Sequence, residues 1–437
     1  MKKTNLILDL YLTLRGVIYY NSFLKKSQNS SLKEMHAHQE VWLKKLLHHA
    51  YSNVPWYTPI FRELGIKLDS NNPFEELKKL PILTKQEVRE NHSGFCIPEA
   101  AKNSLSFSTS GTSGEPLSVY TSKNQWVVEQ GVIWRQWKWA GYNFRNKIAI
   151  FRSYAPNPGE PSIKIDHLRN WAYFSVFRMD ESHLDEYVQF LKRWKPKFLR
   201  GYPSALKLVA EHALKRNWKL PSLKAALSAS EVVPEGLRET LRAAFGIELF
   251  DHYGQAEITC MFHDCEEHEG MHVDWEYGYV ELLPTSRPNI YRIIATNLHN
   301  MSMPLLRYDT GDLAVGEWES CKCGRKSLIL KEIQGRMDDY LLAFNGSKLT
   351  TVNLYTYFSK VSDIQRFQMI QEQIGELMIL VEFKEGVSKN NCIELQKTIT
   401  RELTEKTGLK IDVKFSSDFV QSSEGKFVGF IQRANQL

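Results

Sequence analysis

The segment Ser108-Thr-Ser-Gly-Thr-Ser-Gly-Glu-Pro116 sets a row of hydroxyls on a backbone with two glycines. Glycine lets the main chain approach an anion closely, and successive N–H groups then form a nest for phosphate oxygens. No Gly-Lys-Ser/Thr follows, so this is not the P-loop of nucleotide-binding proteins. A serine-rich surface turn is the alternative reading. A second group is metal-like in spacing: Cys265 and His272, then Cys321-Lys-Cys323 about 50 residues later. Three thiolates and one imidazole suit a closed tetrahedral Zn²⁺ site with a structural task. Cys260, His263 and His268 are competing ligands, set aside because the Cys-x-Cys pair needs only two partners. Reduced, unligated thiols are the other reading.

Four more motifs follow the hydroxyl-rich loop: Asp251-His-Tyr-Gly-Gln-Ala-Glu257, Arg307-Tyr-Asp-Thr-Gly-Asp312, Gly335-Arg-Met-Asp338 and Ser423-Glu-Gly-Lys426. In this order they resemble the motif series of adenylate-forming enzymes, the superfamily of acyl-CoA synthetases, peptide-synthetase adenylation domains and luciferases. Asn53-Val-Pro-Trp-Tyr57, Leu80-Pro-Ile-Leu-Thr-Lys85, Gly201-Tyr-Pro-Ser204, Thr296-Asn-Leu298 and Met303-Pro-Leu-Leu-Arg-Tyr308 narrow the resemblance to the phenylacetate–CoA ligase-like branch. The layout is also similar to members of that branch associated with capsule polysaccharide biosynthesis.

The resemblance implies attack of a carboxylate on the α-phosphate of ATP, giving an acyl-adenylate and pyrophosphate. Two anions must meet, so the site needs donors and cations placed for the charge that develops. By this resemblance Ser108, Thr109, Ser110, Gly111, Thr112, Ser113 and Gly114 hold the β/γ-phosphates. Glu257 acts in catalysis by holding Mg²⁺. Tyr253 stacks on adenine, within the motif of His252, Gly254 and Gln255, and Ser230 and Glu231 lie beside it. Asp312 takes the ribose hydroxyls, and Arg336 reaches the ribose–phosphate side. Lys426 is the catalytic lysine that bridges carboxylate and α-phosphate, and Asp338 is the hinge of a moving C-terminal domain. Two departures stand out: Ala256 removes a hydroxyl found in most relatives, and Glu115 puts an acid in the phosphate loop. The acyl pocket is expected among Trp134–Tyr142, Gly201–Ser204 and Ser228–Glu231, with Trp137, Tyr202 and Pro203 as candidate lining, although aromatics at this density are also core material.

The implied partners are a small carboxylic acid, ATP, Mg²⁺, a structural Zn²⁺ and an acyl acceptor. CoA is the first choice of acceptor; an amine, a sugar or a carrier is the alternative. A non-catalytic nucleotide-binding relative is a third reading, and the retention of Lys426, Glu257 and Asp312 argues against it.

These residues need a frame. Strand-like runs (Ile148–Phe151, Phe198–Leu199, Ala225–Leu227, Tyr279–Leu283, Tyr291–Thr296) alternate with helical ones (Leu184–Trp194, Ser204–Arg216, Glu235–Phe245), which predicts an α/β fold. Ser31–Ala50 reads as an amphipathic helix, and Thr84 with Glu87 makes a capping box. Beyond residue 338, strands at Gln365–Ile370, Glu376–Phe383 and Lys410–Phe415 surround a polar helix at Ser388–Lys406. The expectation is a large multi-sheet N-terminal adenylation domain (31–337), a small mobile α+β C-terminal lid (338–437) and a basic amphipathic extension (1–30).

The 437 residues are 43% hydrophobic and 24% charged with a net charge of +6, which excludes a disordered or disulfide-stapled chain. Residues 1–45 hold eight Lys/Arg against three acids, leaving the rest nearly neutral. A nucleic-acid groove needs a broader basic face, so no nucleic-acid partner is expected. Asp9, Arg15, Gly16 and Asn21 interrupt the apolar run Leu6–Leu24, so a membrane span is not expected. The run is either a helix packed on its own domain or an interfacial helix giving residues 1–26 a weak contact with anionic lipid. Both place the protein in the cytoplasm, the second at the inner face of the membrane.

Overall fold

The structure is a computed structural model that describes residues 6–97, 102, 104–108, 117–154, 156, 159–234, 236–316, 321–336, 340–344, 348–351, 354, 357–358, 361–421 and 427–434. Its centre is a nine-stranded sheet in the order β14-β10-β9-β8-β7-β6-β3-β5-β4. The strands are β3 (Ile148–Phe151), β4 (Ile163–Asp166), β5 (Trp171–Phe174), β6 (Phe198–Gly201), β7 (Ala225–Ala229), β8 (Glu248–Gly254), β9 (Met261–Asp264), β10 (Met271–Val273) and β14 (Ile329–Leu330). Strands β5, β3, β6, β7 and β8 run parallel, and β4, β9, β10 and β14 join antiparallel at the two flanks. The runs Ile-Ala-Ile-Phe of β3 and Ala-Ala-Leu-Ser-Ala of β7 are buried throughout, as parallel strands covered on both faces require.

Helices cover both faces. Glu181–Trp194, Pro203–Lys215 and Leu237–Phe245 share one core with Phe151, Leu199 and Leu249. The helix Lys123–Trp139 covers the opposite face, its Trp137 packing with Ile148, Ile150, Phe198 and Leu227. Ahead of the sheet lies the hairpin β1 (Leu105–Ser108) with β2 (Ser118–Thr121). An antiparallel sheet of β11 (Gly278–Pro284), β12 (Ile290–Asn297), β13 (Tyr308–Val315) and β15 (Glu332–Arg336) follows. The separate C-terminal domain begins with the hairpin β16 (Tyr340–Leu342) and β17 (Lys348–Thr350). Its four-stranded sheet combines β18 (Ile364–Gln371), β19 (Glu376–Phe383), β20 (Lys410–Phe415) and β21 (Phe430–Gln432) with the helix Lys389–Thr407. The capping boxes Ser31–Glu34 and Thr84–Glu87 are both made.

The N-terminal run is seated in the fold. Its helix Leu6–Tyr19 continues through a π-turn, Tyr20–Leu24. Leu12, Tyr20 and Leu24 are buried, the last two among Val128 and Val132 of Lys123–Trp139. Asp9 pairs with Arg169. Ser27 donates to Glu276 at 2.5 Å, and the same carboxylate receives Arg135 at 2.7 and 3.1 Å. Arg135 also reaches Asp274, which holds His263, so this buried cation has two acids. Glycines make the approach possible: a Cβ on Gly16 would lie 2.5 Å from Gln130 Cβ, and one on Gly131 would lie 3.0 Å from Tyr19 and Leu24. Gly16→Val should therefore lower stability by about 1–3 kcal/mol, read as a lowered urea midpoint. An unchanged midpoint would show that the N-terminal helix is an appendage.

Candidate active site

In α/β sheets ligands bind outside the carboxyl ends of the parallel strands, and most of the described candidate residues lie on that side. Strand β8 ends in His252, Tyr253 and Gly254. The Tyr253 hydroxyl donates to Asp312 Oδ2 at 2.5 Å, joining two residues from different motifs. Burial, then the Asp312 charge, pushes the Tyr253 phenol well above its usual pKa, so it stays a donor. Tyr253 also stacks on Phe262 with ring centroids 5.0 Å apart. Asp312 pairs in register with Arg336 across β13 and β15, which brings those two motifs side by side; the Arg336 side chain lies outside the described residues. Gln255 donates to Thr259 at 2.5 Å and fixes the turn that carries Ala256 into Glu257.

Glu257 is buried and held from two directions. Tyr308 donates to Glu257 Oε1 at 2.9 Å, and Lys85 Nζ lies 3.5 Å from the same oxygen. Lys85 had no assigned role in the sequence reading, although it ends one of the motifs that carry the resemblance. It arrives because the preceding segment is stitched to β13: Leu83 N–H donates to Arg307 at 3.0 Å, and Asp309 N–H donates to Leu83 at 2.8 Å. Arg307 adds donations to the Lys78 and Leu80 carbonyls at 2.9 and 2.6 Å.

Ser230 takes a left-handed φ of 75° just after β7, a conformation uncommon outside glycine and often found at ligand sites. Glu231, next in sequence, accepts two backbone donors. Ser204 N–H lies 3.0 Å from one carboxylate oxygen, and Phe427 N–H lies 2.8 Å from the other. Ser204 belongs to the large domain and Phe427 to the C-terminal one, so this carboxylate fastens the chain beside Lys426 to the large domain. Lys426 and Asp338, the expected catalytic lysine and hinge, lie outside the described residues, as do Thr109, Ser110, Gly111, Thr112, Ser113, Gly114 and Glu115 of the expected phosphate loop. The backbone of Ser108 closes the hairpin opposite Ser118.

Trp137 and Tyr202 are almost wholly buried, at 5% and 1% exposure, and Pro203 starts its helix beside them. Trp137 and Tyr202 are core residues on opposite faces of the sheet, not an open aromatic wall. The Tyr202 hydroxyl meets Ser153 Oγ at 2.9 Å. Two arginines rest on these rings: Arg200 stands 5.0 Å over Trp137 and Arg152 stands 5.5 Å over Tyr202. Neither belongs to a recognisable motif, so nothing in the sequence singles them out.

The metal-like residues come together. One ligand atom from each of Cys265, His272, Cys321 and Cys323 lies within 4.8 Å of every other. Cys265 and Cys321 sulfurs are 3.6 Å apart, and Cys323 Sγ is 3.4 Å from His272 Nε2. His272 Nδ1 meets Ser327 Oγ at 2.9 Å, leaving Nε2 directed at the thiols, the orientation in which an outer hydrogen bond fixes a ligating ring. His263 is engaged by Asp274 and His268 by Asp264.

Comparison with known proteins agrees with this geometry. Residues 172–281 match the AMP-binding enzyme family and residues 341–432 match the CapK C-terminal domain. The phenylacetate-coenzyme A ligase of Thermus thermophilus is 27% identical, over 71% of this chain and 72% of that protein. Protein CapK of Staphylococcus aureus is 22% identical over 89% of both. The fold is shared with 2-hydroxyisobutyryl-CoA ligase in its postadenylation state, at a TM-score of 0.68 and 17% identity over 93% of this chain and 91% of that one. In sequence the chain is similar to AMP-binding enzymes, and to the phenylacetate-coenzyme A ligases among them, and it shares the fold of an acyl-CoA ligase.

Proposed function

We propose that the protein activates a carboxylic acid with ATP and passes the acyl group to CoA. In the first step a carboxylate oxygen bonds to the α-phosphorus, the bond to the bridging oxygen of the β-phosphate breaks, and pyrophosphate leaves. In the second, the thiol sulfur bonds to the acyl carbon, AMP departs with the electron pair, and the thiol proton is lost. Tyr253 would offer its ring to adenine, and the Asp312 carboxylate, oriented by the Tyr253 hydroxyl, would take the ribose hydroxyls. Glu257 would hold Mg²⁺, a hard cation suited to a carboxylate oxygen, which supplies neutralisation of phosphate charge. Lys85 and Tyr308 would fix that carboxylate. Lys426 would join substrate carboxylate and α-phosphate, a task for a point charge on a flexible stem.

The observation that carries this reading is the double acceptance at Glu231, which sets the chain next to Lys426 against the loop beside Tyr253. Acid-dependent pyrophosphate release is expected, and Lys426→Ala should lower it by about a hundredfold or more without changing the thermal midpoint. Near-normal release by that variant would remove Lys426 from the reaction.

The match of residues 341–432 to the CapK C-terminal domain favours a second reading for the acceptor: an amine, a sugar or a carrier in capsule polysaccharide biosynthesis. Product analysis with and without CoA separates the two, since a thioester forms only under the first.

Cys265, His272, Cys321 and Cys323 would hold a structural Zn²⁺, tying the strand after Glu257 to the stretch before β15. Three thiolates and one imidazole fill a tetrahedral set and leave no position for a substrate. Protein purified without chelator should carry about one equivalent of zinc, and Cys321→Ser should carry much less. Less than about half an equivalent in the wild type would count against the site.

A weak contact with anionic lipid is supported by the outer face of the helix Leu6–Tyr19. Tyr11, Leu14 and Ile18 are exposed there, with Arg15, Lys25 and Lys26 nearby. Replacing the three apolar residues by serine should reduce sedimentation with phosphatidylserine vesicles and leave pyrophosphate release unchanged. Absence of sedimentation by the wild type would end this reading.

A further inference from the structure

Arg152 and Arg200 stand at the carboxyl ends of adjacent parallel strands. In register across the sheet, Ile150 of β3 pairs with Arg200 of β6, Arg200 with Leu227 of β7, and Leu227 with Phe250 of β8. Arg152 and His252 each lie two residues further along their chains. Alternation along a strand returns every second side chain to one face, so Arg200 and His252 project on the face covered by Trp137, while Arg152, just past the end of β3, stands over Tyr202. The strand ends are drawn close there: Tyr202 N–H donates to Phe151 at 3.1 Å, and a Cβ on Gly201 would lie 2.6 Å from the Phe151 carbonyl oxygen. Beyond β3, Ile150 pairs with Tyr173 of β5, which closes the aromatic surround.

What this cluster lacks is an acid. Among the described residues neither guanidinium has a carboxylate within ion-pair distance, and the groups that influence Arg200 are Arg152 and Tyr173. Burial, then the neighbouring Arg152, lowers Arg200 to about 9, still a cation at neutral pH. Burial, then His263, Arg200 and Arg152, drives His252 well below its usual range, so it is neutral. The contrast with Arg135 is direct, since that buried guanidinium has both Asp274 and Glu276. Two neighbouring half-buried cations with no acid between them repel each other unless an anion joins them, and the guanidinium fork matches carboxylate and phosphate oxygens.

The reacting carboxylate does not fill this role. It loses its charge on becoming the mixed anhydride, while the two arginines keep theirs. Building on the proposed acid activation, we infer that Arg152 and Arg200 bind a second anionic group on the substrate, so that the acid is a dicarboxylate or a phosphorylated carboxylic acid. Trp137 backs the Arg200 guanidinium and Tyr202 backs that of Arg152.

Equilibrium binding of unbranched acids to the full chain, without ATP, tests this apart from turnover. The dicarboxylates succinate through suberate are set against the monocarboxylates butyrate through octanoate, with ω-phosphonocarboxylates as a third series. The inference predicts that at least one dianionic series contains a member bound about tenfold or more tighter than its monoanionic counterpart. Preference for the dicarboxylate assigns the second group as carboxylate, and preference for the phosphonate assigns it as phosphate-like. Arg200→Met and Arg152→Gln should each abolish the preference, while Arg200→Lys should keep part of it. Two substitutions on different strands guard against a variant that fails to fold, and thermal midpoints identify one. Equal affinity for the series, or a preference that survives both neutral substitutions, overturns the inference. Pyrophosphate release with the same acids is then measured. No release from any acid alongside an arginine-dependent preference removes the adenylation reading and keeps the anion site; release from monoacids and diacids alike, with no binding preference, keeps adenylation and removes the anion site.

Discussion

The Glu231 carboxylate accepts one backbone N–H from each domain, Ser204 at 3.0 Å and Phe427 at 2.8 Å. Charge-assisted bonds of this kind are stronger than neutral ones, and two of them on one carboxylate fix its orientation. The consequence reaches both ways. Toward the large domain, it ties the loop after β7 to the start of the helix Pro203–Lys215. Toward the small domain, it sets the chain at Phe427 beside that loop, aided by Gln365 donating to Glu211 at 2.9 Å and Lys215 meeting Glu385 at 2.8 Å. The latter contacts are peripheral, and exposed pairs contribute little; the carboxylate between two backbone donors is the specific one.

The distribution of charge through the large domain follows a consistent rule with one departure. Arg135 is satisfied by Asp274 and Glu276, Arg307 by Glu281 and two carbonyls, and Glu257 by Tyr308 with Lys85 nearby. Each arrangement stabilises a junction: the N-terminal helix to the sheet, the motif around Leu83 to β13, the turn after β8 to the rest of the site. Arg152 and Arg200 are built otherwise, each over an aromatic ring and each close enough for its charge to act on the other. Where Arg135 and Arg307 are each met by carboxylates, these two half-buried arginines have none among the described residues, and a ligand can complete them.

Much of this was legible in sequence because it is local. Capping boxes at Ser31 and Thr84 follow from side chains three residues apart, and Glu376–Phe383 and Lys410–Phe415 appear with the bounds their alternation indicates. The four residues of the zinc-like cluster were legible from chemistry, since thiols and imidazole at such spacing have few other uses. What could not be read depends on strands meeting across long stretches of chain. Lys85 reaches Glu257 only because Leu83 bridges to Tyr308, and Arg152 nears Arg200 only through the parallel pairing of β3 with β6. Of the two readings of the N-terminal run, the contacts of the packed helix are not legible for the same reason: Gly16 and Gly131 look incidental until their helices meet.

Whether Glu231 assembles a two-domain site for acid activation is decided by acid-dependent pyrophosphate release from wild type and Glu231→Ala at matched folding stability. The account predicts release by the wild type and a loss of about a hundredfold in the variant, the size expected when reacting groups are no longer held in position. Equal rates in the two proteins would contradict it.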